Sequence, residues 1–188
     1  MPAAAADCER ILESWWGQPV NTATAFGFVG AGLLIWLDRR DLATAGLVAL
    51  VGVGSIAFHG PMPPGAEAIH DLSIAWILIW VLLTEMGQRR WWPFGLLVGA
   101  GLSITPTIAN PVQAILTVIV IGVVASRRQT RAARVSAMCV LGVGALVGTL
   151  SRTGGPWCLP QSIWQGHGLW HLAAAAAVTI WAVRVQGR

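Results

Sequence analysis

The sequence predicts an all-α integral membrane protein with seven transmembrane helices. Of its 188 residues, 55% are hydrophobic and only 11% are charged, whereas soluble domains have about 45–50% apolar and about 25% charged residues. Eleven tryptophans and no tyrosine suit a protein that places indole rings at the lipid headgroup level. All 12 basic residues are arginine, so a retinal protein, which needs a lysine amine for its Schiff base, is excluded.

Seven apolar runs predict the seven helices, since each approaches the roughly 17–25 residues that a membrane-spanning helix needs. The runs cover residues 20–37, 42–58, 71–86, 92–108, 111–125, 135–150 and 167–185. We expect Pro106 to kink the fourth helix, and Asn110 and Pro111 to form a tight connection to the fifth. The small residues from Gly142 to Gly148 favour close packing of the sixth helix.

The chain is predicted to be a single domain over residues 1–188, with a helix bundle over residues 20–188. Residues 1–19 carry Asp7, Glu9 and Glu13 and have no basic start before an apolar run. They are therefore predicted to form an ordered N-terminal cap and not a cleavable signal peptide. No internal repeat is evident, which disfavours an inverted-repeat transporter.

The arginines predict the orientation of the bundle. If the seven runs alternate across the bilayer, ten of the twelve arginines share one side and only Arg10 and Arg152 lie opposite. The positive-inside rule then puts the N-terminus outside and the C-terminus in the cytoplasm. The net charge of +4 therefore indicates topology and not a nucleic-acid partner, and contact of some arginines with anionic membrane lipid is compatible with it. The ten are Arg39, Arg40, Arg89, Arg90, Arg127, Arg128, Arg131, Arg134, Arg184 and Arg188.

A polar cluster is predicted on the non-cytoplasmic side. Ser55 and His59 are four residues apart, as are His167 and His171, so each pair shares a helix face. Asp71 opens the third run on the same side. Ionisable groups at membrane depth usually face the bundle interior, which predicts one common site. A fourth histidine, His70, is expected to be an interfacial side chain or an outer group of that site.

The histidine pattern predicts a zinc site of the catalytic type. Two imidazoles from His167 and His171 on one helix and a third from His59 leave a fourth position open. Zinc lowers the pKa of a bound water to about 7 and polarises carbonyl groups. Asp71 could then transfer protons and Ser55 could stabilise an oxyanion. Alternatively, Asp71 is a helix cap and Ser55 bonds to its own helix.

These motifs resemble the alkaline ceramidase family of the CREST membrane hydrolases. The resemblance rests on Ser55-Ile56-Ala57-Phe58-His59, on Asp71 twelve residues later, and on His167-Gly168-Leu169-Trp170-His171. It covers essentially the whole chain. It implies zinc on the three histidines, with Ser55 and Asp71 beside it, in an intramembrane amidase that cleaves ceramide to sphingoid base and fatty acid.

The N-terminal segment is also similar to that family, through Cys8-Glu9 and Gln18-Pro19-Val20-Asn21-Thr22. The resemblance implies calcium on Asp7, Glu9 and Asn21. Gln18 stands where eukaryotic members carry Glu, which predicts a weak, altered or absent calcium site. Two cysteines, Cys8 and Cys158, fall on the side where an oxidising compartment permits a disulfide, and the family pattern places one there. Cys139 is expected to be a small buried apolar side chain.

The leading functional hypothesis is a zinc-dependent hydrolase of a lipid amide such as ceramide. The same groups would serve an esterase, a phospholipase-like enzyme or an acyl transferase. A receptor or lipid-binding protein that retains zinc is a second class. Bis-histidine haem ligation is disfavoured, because four-residue spacing puts both histidines on one face. The Ala/Gly/Arg-rich, lysine-free composition suggests a bacterial cell membrane, where the natural amide need not be a sphingolipid.

Overall fold

The computed structural model describes residues 3–103 and 106–185, and within them the chain is entirely helical. Seven α-helices follow one another: α1 (Pro19–Arg39), α2 (Leu42–His59), α3 (Ala66–Glu85), α4 (Trp92–Ser103), α5 (Pro106–Ser126), α6 (Arg131–Leu150) and α7 (Gly166–Ile180). Short 3₁₀ helices cover Ala3–Asp7 and Arg89–Trp91, and α7 continues as a π-helix over Trp181–Val185. The predicted all-helical class is confirmed.

Five of these helices are long and apolar enough to cross a membrane, namely α1, α2, α3, α6 and α7 with its π-helical extension. The apolar stretch Pro111–Ser126 of α5 is shorter. In α4, 12 residues are described as helix, which corresponds to about 18 Å at 1.5 Å per residue, against a hydrocarbon core of about 30 Å. The structure is that of a helical membrane-embedded protein, with five candidate spans among its described residues.

Three local expectations are corrected. Helix α3 begins at Ala66, after Gly65 with φ of 86°, so Asp71 lies inside the helix and not at its start. Pro106 opens α5 and does not kink the fourth helix, because a φ fixed near −65° suits the first turn of a helix. Pro111 lies within α5 and not in a tight connection, as membrane helices tolerate an interrupted backbone bond. Residues 104 and 105 lie outside the described residues.

The predicted close packing of α6 is present at two of its glycines. A Cβ at Gly144 would collide with Ala173 of α7, and one at Gly148 would press on Trp170. Cys139, expected to be buried, is exposed. The reason is helical geometry. Gly148 faces α7, and nine residues at 100° each put Cys139 on the opposite face of α6, away from that helix.

The bundle has two chemically different ends. We call the first the histidine end. It comprises residues 3–18, the α2–α3 connection 60–65, the α6–α7 connection 151–165 and the adjoining helix ends, which contain His59, His70, His167 and His171. Backbone hydrogen bonds join these parts, from Thr153 N to Ala6 O (3.1 Å), from Arg10 N to Pro160 O (3.0 Å) and from Gly17 N to Gly60 O (3.1 Å). A disulfide links Cys8 to Cys158, with 5.6 Å between their Cα atoms. Residues 3–18 therefore form a cap tied to this end, as the sequence suggested.

The opposite end, here called the arginine end, contains the connections 40–41, 86–91 and 127–130 and the π-helix. Glu85 lies at its centre. Its carboxylate accepts hydrogen bonds from Arg134 Nη1 (2.8 Å) and from the Trp181 indole (2.7 Å), and its carbonyl accepts one from Arg127 (2.8 Å). Helices α3, α6 and the extension of α7 are thereby joined at one buried ion pair.

Replacing Glu85 by glutamine should destabilise the bundle by about 3–5 kcal/mol, because it leaves the buried Arg134 cation without its counter-charge. The amide still offers an acceptor to Trp181, so the effect isolates the charge. Thermal unfolding in detergent measures it. The matched control is Arg128→Gln, an exposed arginine of the same end, for which a change within about 0.5 kcal/mol is expected. Equal melting temperatures for both variants would contradict the role of the pair.

Candidate metal centre

Three histidines meet inside the histidine end of the bundle. His59 is the last residue of α2, and His167 and His171 lie in the first two turns of α7. One ring nitrogen from each lies within 4.8 Å of the others. The Nε2 atoms of all three are buried and have no hydrogen-bond partner among the described residues. Because buried polar atoms are normally paired, three unpaired lone-pair donors facing one another form a group that could hold a metal ion.

The cap orients His59 through Gln18. Gln18 Oε1 accepts a hydrogen bond from His59 Nδ1 at 2.7 Å. The amide nitrogen determines which way the Gln18 side chain is oriented, because Nε2 donates to two backbone carbonyls, Ala4 O (2.9 Å) and Glu9 O (2.8 Å). With the proton held on Nδ1, Nε2 carries the lone pair that a metal needs. Both side chains are fully buried.

The other two histidines have equivalent partners. His167 Nδ1 lies 3.3 Å from Asp7 Oδ1, and His171 Nδ1 lies 3.1 Å from the backbone oxygen of Asn21 and 3.2 Å from Thr24 Oγ1. Each ring therefore has an acceptor on its outer nitrogen and an unpaired inner nitrogen. Outer partners of this kind fix ring orientation and increase the affinity of histidine for metal.

Replacing Gln18 by alanine should weaken metal binding about 10- to 100-fold, as is typical when an outer hydrogen-bond partner of a histidine ligand is lost. Competition with a chromogenic chelator measures the affinity for zinc. Gln129→Ala, an exposed glutamine at the arginine end, should leave that affinity unchanged. The same affinity for Gln18→Ala and the native protein would mean that the cap does not support the metal ligands.

Ser55 and Asp71 accompany the triad. Ser55 is 1% exposed, and no hydrogen bond of its hydroxyl is present within residues 3–103 and 106–185. Asp71 Oδ1 lies 3.2 Å from His70 Nδ1, whereas Oδ2 is buried and unpaired in the part of the chain described. His70 stacks on Phe58 and lies outside the triad.

A cavity of about 590 Å³ connects these groups to the rest of the bundle. Its polar part lies at the histidine end and includes Ser55, His70, Asp71, Gln113, Thr149, Arg152, His167 and His171. Its apolar part extends to the arginine end and includes Val120, Val124, Met138, Val178 and Trp181. Helix α5 packs mainly on α3 and α6 mainly on α7, with little contact between α5 and α6. The cavity is lined by residues of all the long helices, α1, α2, α3, α5, α6 and α7.

Some of the oxygen atoms predicted to bind calcium already accept hydrogen bonds from the protein. Both carboxylate oxygens of Glu9 accept backbone N–H groups, from Val20 (2.7 Å) and Asn21 (2.8 Å). Burial raises the pKa of Glu9, against the effect of those bonds. Burial also raises the pKa of Asp7 to about 6, although the Arg152 and His70 charges lower it. Asn21 Oδ1 is buried without a described partner. Calcium at this place stays a prediction.

Sequence reasoning did not find every residue of this site. Gln18 was recognised only as a departure from the family pattern, and its contact with His59 was not expected. Gln113, whose Nε2 donates to Asp71 O at 3.1 Å, and Arg152 lie in segments without a motif. Their only signal is that they are polar residues close to the predicted histidine end.

Comparison of the chain with protein-family models, with curated proteins and with solved structures finds no match. The function is therefore inferred from the site itself, in which three imidazoles face one another beside a cavity that is lined by Ser55 and by Asp71, whose Oδ2 has no described partner.

Proposed function

We propose that this protein is a zinc-dependent membrane hydrolase that cleaves the amide bond of ceramide or a related lipid amide to fatty acid and amine. One observation carries the proposal. Three unpartnered imidazole nitrogens lie beside a cavity whose far part is apolar and whose near part contains Asp71 and Ser55. The motif resemblance to alkaline ceramidases supports the same activity.

The donor set fits zinc. Three neutral imidazoles with a fourth position left open are the usual ligands of catalytic zinc, and the three unpaired Nε2 atoms of His59, His167 and His171 provide them. A zinc ion held there would polarise the scissile carbonyl and acidify a water molecule.

The side chains around the triad supply the remaining steps. Asp71 accepts a proton from the attacking water through its unpaired Oδ2, and a C–O bond forms as the amide carbon becomes tetrahedral. The Ser55 hydroxyl, which has no described protein partner, donates to the developing oxyanion. Asp71 then delivers its proton to nitrogen, so that the C–N bond breaks with a neutral amine as the leaving group.

The form of the cavity supports a lipid as the substrate. Its apolar part, from Val120 to Trp181, suits an alkyl chain, and its polar part places the amide near the triad. We place the lateral entry of the lipid between α5 and α6, because the contact between these two helices is sparse. A substrate that remains in the membrane would not need to cross water to react.

The orientation proposed for the bundle follows the arginines. Arg89, Arg127 and Arg134 lie at one end and Arg152 lies at the other with the triad, whereas Arg188 is outside the described residues. The positive-inside rule puts the arginine end in the cytoplasm. The site then faces the non-cytoplasmic side of a multi-pass membrane protein with seven spans, and we place it in a bacterial cell membrane.

The activity is tested with purified protein in detergent, supplied with long-chain ceramide and other long-chain amides. Mass spectrometry measures the fatty acid released. Release is expected from the zinc-loaded protein, with loss on chelation and recovery on adding zinc. If the zinc-loaded protein released no fatty acid from any amide, the proposal would be wrong. Faster cleavage of a matched ester would instead place it among the lipid esterases.

A further inference from the structure

Arg152 is a cation at the polar part of the cavity. It follows the end of α6 and lines the cavity beside Thr149 and His167. The turn that holds it is defined by two backbone bonds, from Arg152 N to Thr149 O (3.3 Å) and from Gly155 N to Arg152 O (2.7 Å). Arg10, the other arginine of the histidine end, is not among the residues that line this cavity.

The Arg152 side chain makes no hydrogen bond or close ion pair with the described residues. Its charge does act on the Asp7 carboxylate, which lies beside His167, but all of its N–H donors are left available. The side chain is exposed at the protein surface as well as lining the cavity. An arginine in this position can bind an anion, because its planar fork matches a carboxylate bidentately.

The cavity determines which part of a substrate reaches Arg152. An acyl chain in the apolar part, towards Val124 and Trp181, puts the amide carbonyl close to the triad. The amine half of the molecule is then left at the histidine end. Arg152 therefore faces the group attached to the amide nitrogen and not the fatty acyl chain.

Resting on the proposed function, we propose that Arg152 binds a carboxylate on the amine half of the substrate, so that the enzyme acts on long-chain N-acyl amino acids. Water adds its oxygen to the acyl carbon, the C–N bond breaks, and both protons of the water end on the departing nitrogen, one during cleavage and one from the newly formed carboxylic acid. The products are a fatty acid carboxylate and a zwitterionic amino acid. Neutral amides such as ceramide would lack the contact with Arg152 and react more slowly.

N-palmitoylglycine and N-palmitoylethanolamine test this proposal. They have the same acyl chain and the same amide, but the first ends in a carboxylate where the second has a hydroxymethyl group. For the zinc-loaded protein, kcat/KM should be at least about tenfold higher for the glycine conjugate, as one charge-assisted contact predicts. Arg152→Gln should remove that preference by lowering kcat/KM for the glycine conjugate alone, and Arg152→Lys should keep part of it. Arg10→Gln is the matched control and should behave like the native protein.

Binding of the same two radiolabelled lipids to metal-free protein gives a second readout that needs no hydrolysis. A preference for N-palmitoylglycine that disappears in Arg152→Gln supports the carboxylate site, even if no amide is cleaved and the proposed function fails. Hydrolysis of both amides at equal rates would overturn the inference while the proposed hydrolase activity stands. Equal binding of both lipids to native protein would also overturn it.

Discussion

Replacing His167 and His171 together by alanine is expected to abolish zinc binding. These residues supply two of the three imidazoles whose ligand atoms lie within 4.8 Å of one another, and a single remaining histidine cannot hold the ion against a chelator. Elemental analysis of the purified protein should find roughly one zinc per chain in the native form, as one such site predicts, and almost none in the double variant.

His70→Ala is the matched control for that experiment. His70 is a histidine of the same end, but its Nδ1 contacts Asp71 and it lies outside the triad, so zinc should remain. Circular dichroism and gel filtration of both variants check that the bundle is folded. Zinc that stayed near one per chain without His167 and His171 would show that the ligands are elsewhere.

Asp71→Asn and Ser55→Ala should greatly reduce turnover and leave zinc in place. Removal of one oxyanion donor typically costs about 10²–10³ in turnover, which is the loss expected for Ser55→Ala. Asp71→Asn should be at least as damaging, since the amide cannot carry the proton from water to the departing nitrogen. Both losses should fall on kcat, measured as fatty acid released from a long-chain amide.

Two controls separate chemistry from folding in that experiment. Glu67→Gln changes another acidic residue of α3, one that does not line the cavity, and Ser136→Ala removes an exposed hydroxyl of α6. Both should retain native turnover. If Asp71→Asn and Ser55→Ala also matched the native protein, the hydrolase proposal would give way to a zinc-containing receptor or lipid-binding protein.

The sequence by itself determined the helical class, most of the helix positions and the grouping of the polar residues. The apolar runs are readable because a bilayer demands long, continuous apolar stretches. His167 and His171 could be paired in advance because a four-residue spacing in a helix puts two side chains on one face. His59 could be joined to them because ionisable groups at membrane depth turn inward.

Helix ends were less predictable from the sequence. The third apolar run began at Asp71, yet α3 starts at Ala66. The start of α3 contains polar residues such as Glu67 and His70, and a hydropathy pattern does not detect helical residues that are polar. The same limit explains Cys139. An apolar run indicates that its residues lie in the bilayer. It does not indicate whether a given side chain faces a neighbouring helix or lipid.

The tertiary structure alone decided which groups complete the site. Gln18 orients His59 across 41 positions of the chain, and the Asn21 carbonyl meets His171 across 150. Residues of six helices and Arg152 line one cavity. None of these contacts has a local pattern, because they depend on how whole helices and the cap pack together, and packing is a property of side-chain shape across distant segments.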